Sequence, residues 1–286
     1  GRDDVVKKTW REGVGENDDV GTLPRNDLFM KPTPISNMPL GTAPVDDSLL
    51  TLVCKDVPRT QPELAFCIDE TGKYVTKHFY AMVRMLYIYA SLNPGIGYVQ
   101  GMNEVLAPLY FSFVNTCDDD ETAEADAFFC FTNLMAEVRD SFCRTLDASS
   151  IGIRRQIALL EKMLAVVDLE LRQNLEEKKI NFEYFAFRWI AVLLTQEFML
   201  DDVLRIWDAL FADENRFAFL IYICCAMIVL LRNELFQGTF ADNIQLLLHF
   251  PDSISHTEVL ERAEEIRMTV RFESVENSLQ KVGGEF

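Results

Sequence analysis

The sequence predicts an all-α, multi-helix domain with no significant β-sheet. Apolar residues recur at three- and four-residue steps through most of the chain after Leu49, the period of a helix with one buried face. Alternating strand patterns bounded by turn residues are almost absent. Hydrophobic residues make up 49% of the 286, with 21 Phe, which is enough to bury a large core and excludes intrinsic disorder for most of the length.

Residues 1–48 stand apart. They hold Gly1, Gly13, Gly15, Gly21 and Gly41, prolines at 24, 32, 34, 39 and 44, and few apolar runs. This composition predicts loop or extended chain on the surface, with one short helix over residues 5–11. The domain proper is expected over residues 49–286.

The next segment reads Val53-Cys54-Lys55-Asp56-Val57-Pro58-Arg59-Thr60-Gln61-Pro62. Pro58 disfavours helix at Val57 and Pro62 does the same at Gln61, so a constrained turn is predicted, with Arg59 on a stiff backbone. Asp56, three residues earlier, is placed to pair with the Arg59 guanidinium.

Tyr74, His78, Met82, Met85, Leu86 and Tyr89 share a helical period that ends near Asn93-Pro94-Gly95. His78 on this apolar face reads as a buried hydrogen-bonding residue. A Gly-rich turn at 95–101 carries Tyr98-Val99-Gln100. Its glycines let the backbone approach another molecule, and Gln100 presents an amide that both donates and accepts. Helix follows over 102–114, then an acidic loop at 117–121, then a helix carrying Phe128, Phe131, Met135, Val138 and Phe142. Further helices are expected over 151–175, 182–198, 203–210, 217–232, 240–250 and 256–270. Residues 217–231 form the most apolar stretch, yet fall short of the about 20 residues a bilayer span needs. They predict a helix buried on most sides.

Several function classes drop out. The net charge is −18 with no Lys/Arg-rich run, so phosphate backbones and anionic lipid surfaces are repelled and nucleic-acid binding is not expected. Seven cysteines without a C-x-x-C pair, beside only three His, predict reduced thiols and no zinc site, with Cys224-Cys225 packed in the apolar helix. The run Asp118-Asp119-Asp120-Glu121 lacks the glycine and distant glutamate of a calcium loop, so no metal is expected there. No phosphate-binding loop or dinucleotide fingerprint is present, so the chain needs no cofactor and binds no nucleotide of its own. No secretory signal opens the chain; a cytoplasmic location is expected, with any membrane recruitment coming through a partner.

Two motifs carry a more specific reading. Val53-x-x-Asp56-x-x-Arg59 and Tyr98-x-Gln100, the latter followed by Gly101-Met102-Asn103, resemble the I-x-x-D-x-x-R and Y-x-Q motifs of the TBC-domain family of Rab GTPase-activating proteins. Arg188-Trp189, Gln196-Glu197-Phe198 and Arg205-Ile206-Trp207-Asp208 are similar to a third family block. The likeness covers about residue 49 to the C-terminus and is strongest to the member-thirteen-like subgroup. Val53 stands where the family usually has Ile, and Thr60-Gln61-Pro62 where many members have T-F-P. The family's opening R-x-x-x-W stretch has only a feeble counterpart in Lys8-Thr9-Trp10-Arg11.

The resemblance implies GTPase activation in trans, in the service of membrane trafficking. Arg59 would be an arginine finger and Gln100 a glutamine finger, and the two would meet at one docking surface. Asp56, Tyr98, Gly101 and Asn103 would support them or contact the GTPase, while Arg188, Trp207 and Asp208 would be internal scaffold. The partner would be a GTP-bound Rab-type GTPase that brings its own GTP and Mg2+. Two other readings stay open at this level: a module of the same fold that binds a GTPase without catalysis, and a helical scaffold unrelated to GTPases.

Overall fold

The computed structural model describes residues 47–60, 76–142 and 152–282. The expected helix over residues 5–11, the Lys8-Thr9-Trp10-Arg11 stretch, Gln61-Pro62 and Tyr74 lie outside them. Among the described residues there are helices and turns and no β-strand, as the periodicity predicts. None of these helices is long and apolar enough to cross a membrane. The chain divides into two compact units, one ending at Glu137 and the other beginning at Val138.

The first unit opens with α1 (Asp47–Asp56), a 3₁₀ turn at Val57–Arg59, α2 (Thr76–Leu92), α3 (Met102–Thr116) and most of α4 (Asp120–Phe142), whose residues from Val138 on belong to the second unit. Helix α1 starts inside the stretch expected to be irregular and takes in the first four residues of the expected turn, 53–56. Leu50, Val53, Cys54 and Val57 are all buried at helical spacing, so packing against α2 sustains the helix up to the residue that Pro58 restricts. Helix α2 packs on α3, and Tyr89 meets Phe131 of α4 edge-on with ring centroids 5.0 Å apart. The Arg84 guanidinium donates to both Glu124 oxygens at 2.8 and 2.5 Å, a largely buried pair between α2 and α4. Asp119 caps α4 by accepting from the Thr122 N–H and hydroxyl, both at 2.8 Å. The expected acidic loop is thus shorter than predicted and serves as a helix start.

In the second unit the helices are α5 (Ile153–Val167), α6 (Leu169–Glu177), α7 (Ala186–Ala191), α8 (Leu200–Ala212), α9 (Arg216–Leu230), α10 (Arg232–Gln237), α11 (Phe240–Leu248), α12 (His256–Thr269) and α13 (Phe272–Val282). Helix α9 is the axis of this unit, with every residue from Ala218 to Val229 buried, and α5, α7, α8 and α12 pack around it. Burying each large side chain there contributes roughly 1.5–3 kcal/mol, so the most apolar segment has become the core. Cys224 and Cys225 lie on it as free thiols. Burial pushes both thiols up, Cys225 to about 12, so neither forms thiolate near neutral pH.

Two long predicted helices are broken. Asp168 interrupts residues 151–175: with φ −148° it leaves the helical region and its carboxylate accepts from the Leu171 N–H at 2.9 Å, capping α6. Residues 182–198 hold a 3₁₀ turn and the short α7, then reverse through Leu193 and Leu194 at φ 53° and 66°. That left-handed pair is held from outside the segment: the Trp207 indole N–H donates to the Leu193 carbonyl at 2.9 Å. Helices α10 and α13 were not expected.

Candidate functional site

The candidate site is built from the end of α1 and the loop before α3, both in the first unit. Pro58 sits at the first turn of the 3₁₀ segment, where its fixed φ is tolerated, and Arg59 closes that segment with its side chain exposed. Across from it, the chain leaves α2 through Asn93, whose side-chain amide donates back to the Tyr89 carbonyl at 2.8 Å. Gly97 and Gly101 take φ 68° and 104°, a region L-residues avoid, and Gly101 is the N-cap of α3. Between them Tyr98 turns inward and Gln100 outward.

A buried polar network joins the two segments. The Tyr98 hydroxyl lies 3.0 Å from Asp56 Oδ2 and 3.1 Å from Asn103 Oδ1. Its one proton goes to the carboxylate, the stronger acceptor, which leaves the Asn103 oxygen as a neighbour of the hydroxyl and not a hydrogen-bond partner. Asn103 Oδ1 takes the Gly101 N–H at 3.0 Å, while Asn103 Nδ2 donates to Thr60 Oγ1 at 2.9 Å. The Thr60 hydroxyl in turn donates to the Asp56 carbonyl at 3.3 Å. Asp56, Thr60, Tyr98 and Asn103 are all buried. Burial, then the neighbouring Asp56 carboxylate, drives the Tyr98 hydroxyl well above the usual phenol range, so it stays a donor.

The candidate residues fall in different surroundings. Arg59 and Gln100 are exposed, and each directly precedes a residue held by the Asn103 carboxamide: Thr60 and Gly101. The two bonds and the intervening covalent segments keep the Arg59 and Gln100 Cα atoms within roughly 17 Å. Asp56 does not pair with Arg59 as expected. Its carboxylate points inward to Tyr98, because Asp56 ends α1 on the buried side while the 3₁₀ turn carries Arg59 out to solvent. Tyr98 and Asn103 are buried and Gly101 sets the loop's backbone. The sequence reading missed Thr60. A threonine after an arginine carries no signal until the fold brings Asn103 to it.

The third motif block lies in the second unit. Arg188 donates to both Glu197 oxygens at 2.7 and 2.9 Å and to the Leu248 carbonyl at 2.5 Å. Trp207 is buried, with its N–H on Leu193. The Arg188 side chain is 32% exposed, against a fully buried Glu197. Asp208, expected to be internal, has a side chain 77% exposed and 3.8 Å from Arg205. Helix α8 buries Val203, Ile206, Trp207 and Leu210, and residue 208 falls on the opposite face. Among the described residues no group of three or more His, Cys, Asp and Glu is placed to hold a metal.

Comparison with known proteins identifies the family. The Rab-GTPase-TBC domain family matches residues 35–236. The human protein TBC1 domain family member 13 is 49% identical over 192 residues, covering 66% of this chain and 48% of that protein. GTPase-activating protein gyp1 of Schizosaccharomyces pombe is 28% identical over 236 residues, covering 76% of this chain and 44% of that protein. The chain therefore spans about half the length of these relatives. In fold it resembles the crystal structure of the Ypt/Rab-GAP domain of Gyp1p, with a TM-score of 0.71 at 23% identity, covering 85% of this chain and 77% of that one. With residues 35–236, most of its length, matched by the family, the chain belongs to the Rab-GTPase-TBC domain family.

Proposed function

We propose that this chain accelerates GTP hydrolysis by a Rab-type GTPase, lending it Arg59 and Gln100. A GTPase alone stabilises the developing phosphoryl charge poorly and holds its attacking water loosely. The Arg59 guanidinium is always charged and would neutralise charge growing between the β- and γ-phosphates. The Gln100 amide can accept from the water and donate to a phosphate oxygen at once, so it would orient the nucleophile. The partner supplies GTP and Mg2+, and no side chain of this chain needs a tuned proton.

The observation that carries the reading is a pair of buried hydrogen bonds, Tyr98 to Asp56 and Asn103 to Thr60. They join the two segments that bear the only pair of residues the mechanism needs, while both of those side chains stay in solvent. The test is single-turnover GTP hydrolysis across a panel of GTP-loaded Rab proteins. Acceleration of at least one member is expected, with Arg59→Ala slowing the stimulated rate by about 10³-fold or more and Gln100→Ala by about 10²-fold. Neither variant should lower stability, since both side chains are exposed. Tight, nucleotide-dependent binding without any acceleration would replace this reading with that of a binding module.

A further inference from the structure

Asn103 touches both finger-bearing segments, the Gly101 N–H beside Gln100 and the Thr60 hydroxyl beside Arg59. Thr60 Oγ1 both donates and accepts: it donates to the Asp56 carbonyl at 3.3 Å and accepts from Asn103 Nδ2 at 2.9 Å. Thr60 also closes the 3₁₀ turn, its N–H donating to the Val57 carbonyl at 3.1 Å. The residue is 3% exposed and Asn103 4%, so water does not substitute for either partner. The carboxamide orientation is determined by its surroundings: Oδ1 must face the Gly101 N–H, which turns Nδ2 toward Thr60 and toward Glu104 Oε1 at 3.3 Å.

We propose that Thr60 is a positioning residue: through Asn103 its hydroxyl sets the spacing between the Arg59 turn and the Gln100 loop, so that the two exposed side chains act as one unit. The proposal rests on the function proposed above. Its physical basis is that a displacement on the order of 1 Å between groups acting on one transition state costs up to about 10²-fold in rate. Asp56–Tyr98 is a second tie between the same segments, but it grips α1 one turn before the arginine. Thr60 adjoins Arg59 directly, and Gly101 adjoins Gln100. The Thr60–Asn103–Gly101 line is therefore the shorter path between the two fingers.

Thr60→Val tests this, since it keeps the shape and removes the hydroxyl; Thr60→Ser keeps the hydroxyl. With a Rab that the wild-type chain accelerates, Thr60→Val is expected to lower kcat about 10- to 100-fold with KM changed less than about threefold. Thr60→Ser should stay within about threefold of wild type. In the Thr60→Val background Gln100→Ala should cost far less than it does alone, because residues that act as a unit are not additive. A second readout needs no GTPase: hydrogen exchange at the Gly101 amide should quicken about tenfold in Thr60→Val, with α2 and α3 unchanged. Unchanged kcat and unchanged Gly101 exchange would overturn the proposal, as would equal rate losses in the Val and Ser variants. If the wild-type chain accelerates no Rab but Gly101 exchange responds as expected, the strut is supported and the proposed function falls instead.

Discussion

Deleting a single oxygen in Tyr98→Phe probes the network where it is most charged. The hydroxyl is 3.0 Å from an Asp56 oxygen, and the Asp56 residue is 6% exposed, so the carboxylate cannot recover the lost bond from bulk water. A hydrogen bond to a charged group contributes about 1.5–3 kcal/mol, and leaving a buried acceptor short of a donor costs in the same range. The phenyl ring still fills its place, so no cavity term enters. We expect a loss of about 2 kcal/mol, a sizeable part of a domain's marginal stability of about 5–15 kcal/mol. The described tryptophans, Trp189 and Trp207, lie in the second unit, so fluorescence would report on the wrong part of the chain. Native-state hydrogen exchange over α2 and α3 reads the right one. Asp56→Asn combined with Tyr98→Phe should then show a coupling of about 1–2 kcal/mol, since the two groups are in direct contact. A Tyr98→Phe loss below about 0.5 kcal/mol, or strict additivity with Asp56→Asn, would refute the claim that this contact ties the segments.

The second unit and the helix below the site yield two further expectations. Burial pushes the Glu197 carboxyl up from its ordinary range and the two-pronged Arg188 guanidinium pulls it back; Arg188→Met should therefore destabilise by about 3–5 kcal/mol near neutral pH, and by less on acidification as Glu197 takes up a proton. Tryptophan fluorescence during urea unfolding measures it, and a loss that does not shrink at lower pH would count against the explanation. His78, with Nδ1 3.0 Å from the Tyr110 hydroxyl, is pushed down to about 4 from 6.5, first by burial and then by Lys77, with Asp120 opposing. The unfolded chain binds this proton before the folded one does, so stability should fall as pH drops from about 6.5 to about 4, by on the order of 3 kcal/mol. His78→Gln should flatten that part of the pH profile when unfolding is followed by circular dichroism; an unchanged slope would exclude His78 as the cause.

Helical period was legible wherever one face of a helix is buried: α2, α3, α8, α9, α11 and α12 lie within a few residues of their expected places. It was misleading where the chain bends without losing hydrophobicity. Asp168 interrupts one apolar run by its own local cap, while the Leu193-Leu194 reversal is held by an indole fourteen residues downstream. The same limit applies to single residues. Trp207 and Asp208 are adjacent in the chain and were read alike, but a helix turns by about 100° per residue and puts one in the core and the other in solvent. Asp56 and Arg59 are close in sequence and opposite in charge, which suggests a pair, yet the 3₁₀ turn sends their side chains in different directions.

By itself, then, the amino-acid order determined which residues are chemically able to act: a guanidinium on a proline-stiffened turn, a carboxamide on a glycine loop, and a helical frame to carry them. It could do so because side-chain chemistry, backbone freedom and hydrophobic period are local properties. The tertiary structure alone decided that a buried tyrosine, asparagine and threonine would bind those two segments together. Hydrogen bonds between residues some forty positions apart depend on how α1, α2 and α3 pack, and no local pattern encodes a distance across a core.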